Sequence, residues 1–217
     1  MPPTRLTRIW FGVTALVVLI GLVTQGFVSA GTPGRYASAG ARVANMFAYF
    51  TIESNVLVLL ASVAFAAGAG ARANGLLRVL WLDALIGIAV TGVVYHVALS
   101  GLLDLSGAAL FADVMLHTVS PIIAVLGFLV ASPRVLQWRA VAWSACWPPA
   151  WLAFTLIRGA QGGFYPYPFV NAAELGYGRV AVNCVLIAVL FVALASVAKV
   201  LDGWLTHAPA ETRSADR

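Results

Sequence analysis

The run IWFGVTALVVLIGLVTQGFVSA, residues 9–30, decides the fold. It holds no charged residue. As a helix rising 1.5 Å per residue it reaches about 33 Å, enough to cross the hydrocarbon core of a bilayer. Arg5 and Arg8 precede it. Val28-Ser29-Ala30 has the small-residue form of a signal cleavage site, but the apolar run is longer than the roughly 7–15 residues of a signal peptide core. The segment therefore reads as a retained transmembrane helix.

Working outward, five further apolar stretches follow, giving spans at 9–30, 43–67, 79–103, 108–131, 139–157 and 178–201. Pro33, Gly34 and Arg35 mark the first loop, and Ser132-Pro133-Arg134 a later one. Pro148-Pro149 must break or kink the fifth span, because proline removes a ladder hydrogen bond. A longer loop over 158–177 carries Phe164-Tyr165-Pro166-Tyr167-Pro168-Phe169. Its aromatic rings suit the headgroup layer, and its prolines stiffen the approach to the last span. Residues 203–217 read as a polar C-terminal tail, and the stretch from His207 onward as disordered.

The composition agrees with this reading. Hydrophobic residues make up 61% of the 217 and charged residues only 10%, against about 25% in soluble domains. Too little charge remains to cover a water-facing surface. Twelve of the thirteen basic residues are arginines, and none forms a run, which argues against nucleic-acid binding. They fall at segment ends. With both termini cytoplasmic, nine basic residues lie inside and four outside, as the positive-inside rule requires. The expected architecture is thus an all-α bundle of six transmembrane helices in the cell membrane. No internal repeat supports an inverted-repeat transporter. Cys146 and Cys184 lie in apolar stretches near opposite surfaces and read as free, buried thiols.

Polar groups inside spans are costly, so they are the first candidates for function. The second span carries Thr51, Glu53, Ser54 and Asn55. Thr51 and Asn55, four residues apart, share a helix face, whereas Glu53 points elsewhere and needs a partner or a proton. The ordinary reading of a lone membrane threonine is a hydroxyl bonded to its own helix. The fourth span carries Asp113 and His117, also four apart. An acid one turn from a histidine can fix its tautomer, and it can equally be a packing pair at a helix interface. His96 and Tyr95 read as boundary residues, with His96 a second possible base. Trp81 and Asp83 read as inner-boundary residues.

Depth links the two clusters. Thr51 lies eight residues into its span and His117 nine into a span running the same way. Each is therefore roughly 12–14 Å below the outer boundary. A threonine hydroxyl beside a histidine is a possible nucleophile and base.

Three motifs carry a resemblance. They are Tyr49-Phe50-Thr51-Ile52-Glu53-Ser54-Asn55, Leu116-His117-Thr118-Val119-Ser120-Pro121, and Tyr165-Pro166-Tyr167-Pro168-Phe169 followed by Leu175-Gly176-Tyr177-Gly178-Arg179. Together they resemble a bacterial branch of a six-span membrane family, similar to the eukaryotic androgen-induced and androgen-dependent membrane hydrolases. Those enzymes cleave fatty acid esters of hydroxy fatty acids with a membrane threonine and a membrane histidine. The resemblance puts these roles on Thr51 and His117. The Glu-Ser-Asn character after Thr51 departs from the more apolar eukaryotic pattern.

The expected function is an intramembrane lipid-ester hydrolase requiring no cofactor or metal. Thr51 and His117 would do the chemistry, Asn55 would stabilise the oxyanion, and Asp113 would orient His117. The alternatives are a non-catalytic lipid- or small-molecule-binding protein or transporter, in which Glu53, Asp113 and His117 line a polar path, and a purely structural bundle.

Overall fold

The computed structural model describes residues 4–207. It is an all-α bundle with five helices long and apolar enough to cross a membrane, or six if one sharply bent pair forms a single span. Most of the proposed tail lies outside the described residues.

Helix α1 (Arg5–Gly31) begins at Thr4, whose hydroxyl caps the Thr7 amide. It buries Phe11 and Val18 completely, yet exposes Val13, Leu16 and Phe27. Large apolar side chains facing outward along whole helices are what a lipid-facing surface requires. Helix α1 packs on later helices through close polar contacts. Thr7 Oγ1 donates to the Ala131 carbonyl at 2.7 Å, and Trp10 Nε1 to the Ile123 carbonyl at 3.1 Å. The indole reaches that carbonyl because Gly127 faces it. A Cβ there would lie 2.5 Å from Nε1.

The second span is not continuous. Helix α2 (Ala39–Met46) ends in a tight turn, and α3 (Phe50–Ala66) leaves at a 75° bend. No glycine or proline marks this break. Trp151 Nε1 donates to the Ala48 carbonyl, satisfying one acceptor that the lost ladder frees. Thr51 consequently sits in the first turn of a helix instead of the middle of one.

Helix α4 (Gly75–Val94) is the most buried element and forms the centre of the bundle. Trp81 and Asp83 are buried there. Trp81 packs edge-on against Phe11 and Phe65. Helix α4 widens into a π turn over Tyr95–Leu99. A second π turn, Met115–Val119, joins α5 (Gly107–Val114) to α6 (Ser120–Val130). Pro121 lacks the N–H that an α-helix would give to the His117 carbonyl, which favours the wider turn.

The expected break at Pro148-Pro149 takes a specific form. Helix α7 (Trp138–Ser144) stops, and α8 (Trp147–Gly162) starts with both prolines in its first turn, where their missing N–H groups cost nothing. Helix α8 runs five residues past the expected end of the fifth span. Helix α9 (Ala172–His207) starts before the expected residue 178, is kinked at Gly176 (φ 71°), and continues into the stretch read as tail. Cys146 and Cys184 are both free, but Cys146 is exposed.

Side-chain bonds fix which helix ends lie together. Arg8 Nε donates to the Ala66 carbonyl at the end of α3, and Asp202 accepts from the Leu136 amide just before α7. At the opposite end, Arg158 donates to Tyr36 Oη at 2.9 Å and Asn45 Oδ1 at 2.6 Å. Arg35 donates there to the carbonyls of Gly162 and Gly163. The helices alternate in direction, as the arginine pattern requires.

Candidate active site

Three segments far apart in sequence converge on Thr51. Its Oγ1 lies 3.3 Å from His117 Nε2 and 3.1 Å from Tyr167 Oη. His117 Nδ1 lies 3.0 Å from Asp113 Oδ1 and 3.1 Å from the Asp113 carbonyl. A carboxylate and a carbonyl can only accept, so Nδ1 carries a proton, and in the neutral imidazole Nε2 is the bare nitrogen. Nε2 is then free to accept from the Thr51 hydroxyl. The resulting order, Asp113 to His117 to Thr51, is that of an acid orienting a base beside a nucleophile.

Tyr95 fixes this chain from behind. Its hydroxyl donates to Asp113 Oδ2, and its ring stacks on the His117 ring with centroids 4.1 Å apart and planes 15° from parallel. Tyr95 comes from the π turn of α4, and His117 from the facing π turn. Gly92 permits this approach, since a Cβ there would lie 3.0 Å from Pro121.

Tyr167 completes the site from the aromatic loop. That loop folds inward over a second small core of Tyr167, Val170, Ala172 and Val180. The Tyr167 oxygen accepts from the Thr51 amide at 3.1 Å. No residue at the start of α3 offers a side-chain cap, so a loop residue 116 positions away takes that place. Burial pushes the Tyr167 phenol up to about 12, so it stays protonated and can donate through the neutral range. Asn183 Nδ2 holds the loop by donating to the Phe169 carbonyl at 2.9 Å.

The remaining sequence candidates have other places. Asn55 gives both amide hydrogens to backbone carbonyls, of Thr51 at 2.9 Å and Leu116 at 3.2 Å. It ties α3 to the π turn, and no donor remains for an oxyanion. Glu53 turns away from Thr51 and accepts from Trp147 Nε1 at 3.2 Å. Ser54 faces α4 at Gly87. His96 is exposed, and its ring nitrogen meets the Thr118 hydroxyl at 3.2 Å. Tyr167 is the residue that sequence reasoning missed. The available signal was a pair of phenols in a proline-stiffened loop, and nothing local indicated where they point.

Two cavities meet at Thr51. One, of about 320 Å³, is almost wholly apolar and runs among α4, α8 and α9, bounded by Val94, Leu99, Leu152 and Phe191. The other, of about 480 Å³, is a more polar vestibule, where charged side chains alternate with apolar ones, reaching His117 and Asp113 past Arg35, Tyr36 and Arg42. The first is of a size that holds an apolar ligand. The second supplies a polar approach to the same hydroxyl. Comparison with protein-family models, with curated proteins and with solved structures finds no match for this chain.

Proposed function

We propose that this protein is an intramembrane hydrolase of lipid esters, with Thr51 as nucleophile and His117 as base. The observation that carries the proposal is the position of Thr51, hydrogen-bonded to an oriented histidine at the junction of an oily cavity and a polar one. An acyl ester has this division, with a hydrocarbon chain on one side of a reactive carbonyl and polar groups on the other.

The chemistry follows from the contacts. Thr51 Oγ attacks the ester carbonyl while its proton passes to His117 Nε2. Asp113 stabilises the imidazolium that forms, and Tyr95 holds Asp113. The oxyanion is met by the Tyr167 hydroxyl at the start of α3, where the helix dipole also favours negative charge. His117 then returns the proton to the departing alcohol. Water reaching Thr51 through the vestibule releases the acid by the same route in reverse. The 3.3 Å separation of Thr51 and His117 is within the range by which such contacts lengthen before substrate binds.

In this reading the protein lies in the cell membrane with both termini cytoplasmic, as its arginine distribution favours. The resemblance of its motifs to the androgen-induced and androgen-dependent hydrolases supports the same two residues. Esters of hydroxy fatty acids are the first substrates to test. The purified chain in micelles is expected to cleave such an ester, and Thr51→Ala and His117→Ala are expected not to. Equal turnover by all three would refute the assignment.

A further inference from the structure

A third cavity, also of about 480 Å³, lies at the far end of the bundle from the vestibule, between the start of α4 and α7. Its lining includes Arg78, Arg139, Gln137, Leu76 and Trp143. Among the described residues neither guanidinium has a carboxylate within 4.0 Å or a hydrogen-bond acceptor, and Arg78 Nε is buried without a partner. Arg78 also stands in the first turn of α4, which carries no acidic residue. That end of a helix repels cations and attracts anions. Two guanidinium groups without a partner in one cleft, one of them set against a helix dipole, favour an anion from outside the chain.

The walls indicate where that charge comes from. Leu76 and Trp143 line the cleft and are each 64% exposed, and Trp138 beside it is 58% exposed. Large apolar side chains opening outward next to two cationic groups, one partly buried and one exposed, match a molecule with an anionic head and hydrocarbon tails. The Lys199 ammonium, 5.9 Å from the centre of the Trp138 ring, adds positive charge at the rim. We propose that this cleft binds an anionic phospholipid, its phosphate held between Arg78 and Arg139 and its acyl chains lying over Leu76 and Trp143. Basic clefts between membrane helices on the cytoplasmic side take such headgroups. In the orientation proposed above, the cleft opens to the cytoplasmic leaflet. The inference does not depend on the hydrolase reading.

Native mass spectrometry of the full chain released from detergent provides the test, with titrations of phosphatidylglycerol, phosphatidylcholine and inorganic phosphate. Phosphatidylglycerol is expected to bind selectively. Arg78→Gln with Arg139→Gln should weaken it about 30-fold or more, as loss of two charge-assisted contacts implies. Arg5→Gln, which removes a charge at the same end but outside the cleft, should change it by no more than about twofold. Should the double variant fail to fold, Arg139→Gln alone, at an exposed position, should still cost about fivefold. Equal binding of the two lipids would overturn the proposal. So would an equal loss in Arg5→Gln, or displacement of the lipid by equimolar inorganic phosphate.

Discussion

Two histidines occupy facing π turns, and the turns have put them to different uses. His117 is backed by Asp113, covered by the Tyr95 ring and closed on Thr51. His96, itself exposed, touches the same Tyr95 ring edge-on, with centroids 5.1 Å apart, and its Nε2 reaches the Thr118 hydroxyl. The backbone irregularity is common to both, so it cannot be what makes a base. The difference lies in what each ring nitrogen meets. One histidine has a fixed proton on one side and a hydroxyl on the other, whereas its neighbour has a hydroxyl but, among the described residues, no carboxylate within 4.0 Å to fix its other nitrogen.

Four substitutions test that contrast, taken from the largest expected effect to the smallest. His117→Ala is expected to lower kcat by about 10³-fold or more, since the general base is lost. Stopped assays with a chromogenic lipid ester would measure it, and a drop of only a few-fold would put both histidines on the same footing. Tyr167→Phe keeps the ring in its small core but removes the hydroxyl. A fall of about 10²-fold in kcat is expected for loss of one oxyanion donor, with KM little changed. If KM rose while kcat held, Tyr167 would be a binding residue instead. Tyr95→Phe preserves the stack on His117 and deletes only the bond to Asp113. About a tenfold loss of kcat is expected, the value of one hydrogen bond to a charged group. His96→Ala should leave kcat within about twofold of the parent, as substitutions away from structured contacts do. A large loss there would break the comparison, because it would make the exposed histidine part of the reaction.

The sequence carried the bundle because its signals were unopposed. A charge-free run such as residues 9–30 has few stable settings, and the arginines at segment ends gave the alternation of direction. That direction brought Thr51 and His117 to a similar depth, and the structure joins them. Four-residue spacing also paired Asp113 with His117 correctly. It misled at Asn55, where the shared face with Thr51 was real but the side chain turned to the backbone.

The break before α3 was not legible. Nothing in Phe47-Ala48-Tyr49 demands it locally, and the groups that sustain it, Trp151 and Tyr167, come from other helices and loops. The roles of Tyr95 and Tyr167 were hidden for the same reason. Helix rotation and loop direction are settled by packing between segments distant in the chain, and a single sequence records only neighbours along it.

The position of Thr51 between its two cavities has a consequence for how variants should be read. This one side chain is a partition between a compartment that accepts oil and a compartment that accepts water. Trimming it to alanine removes the hydroxyl and also thins the wall, so a Thr51→Ala protein could lose turnover by flooding as well as by lacking a nucleophile. Thr51→Val keeps the wall and deletes only the hydroxyl. Its measured loss is the chemical one, and the gap between the two variants gauges how much the reaction depends on keeping the two solvents apart.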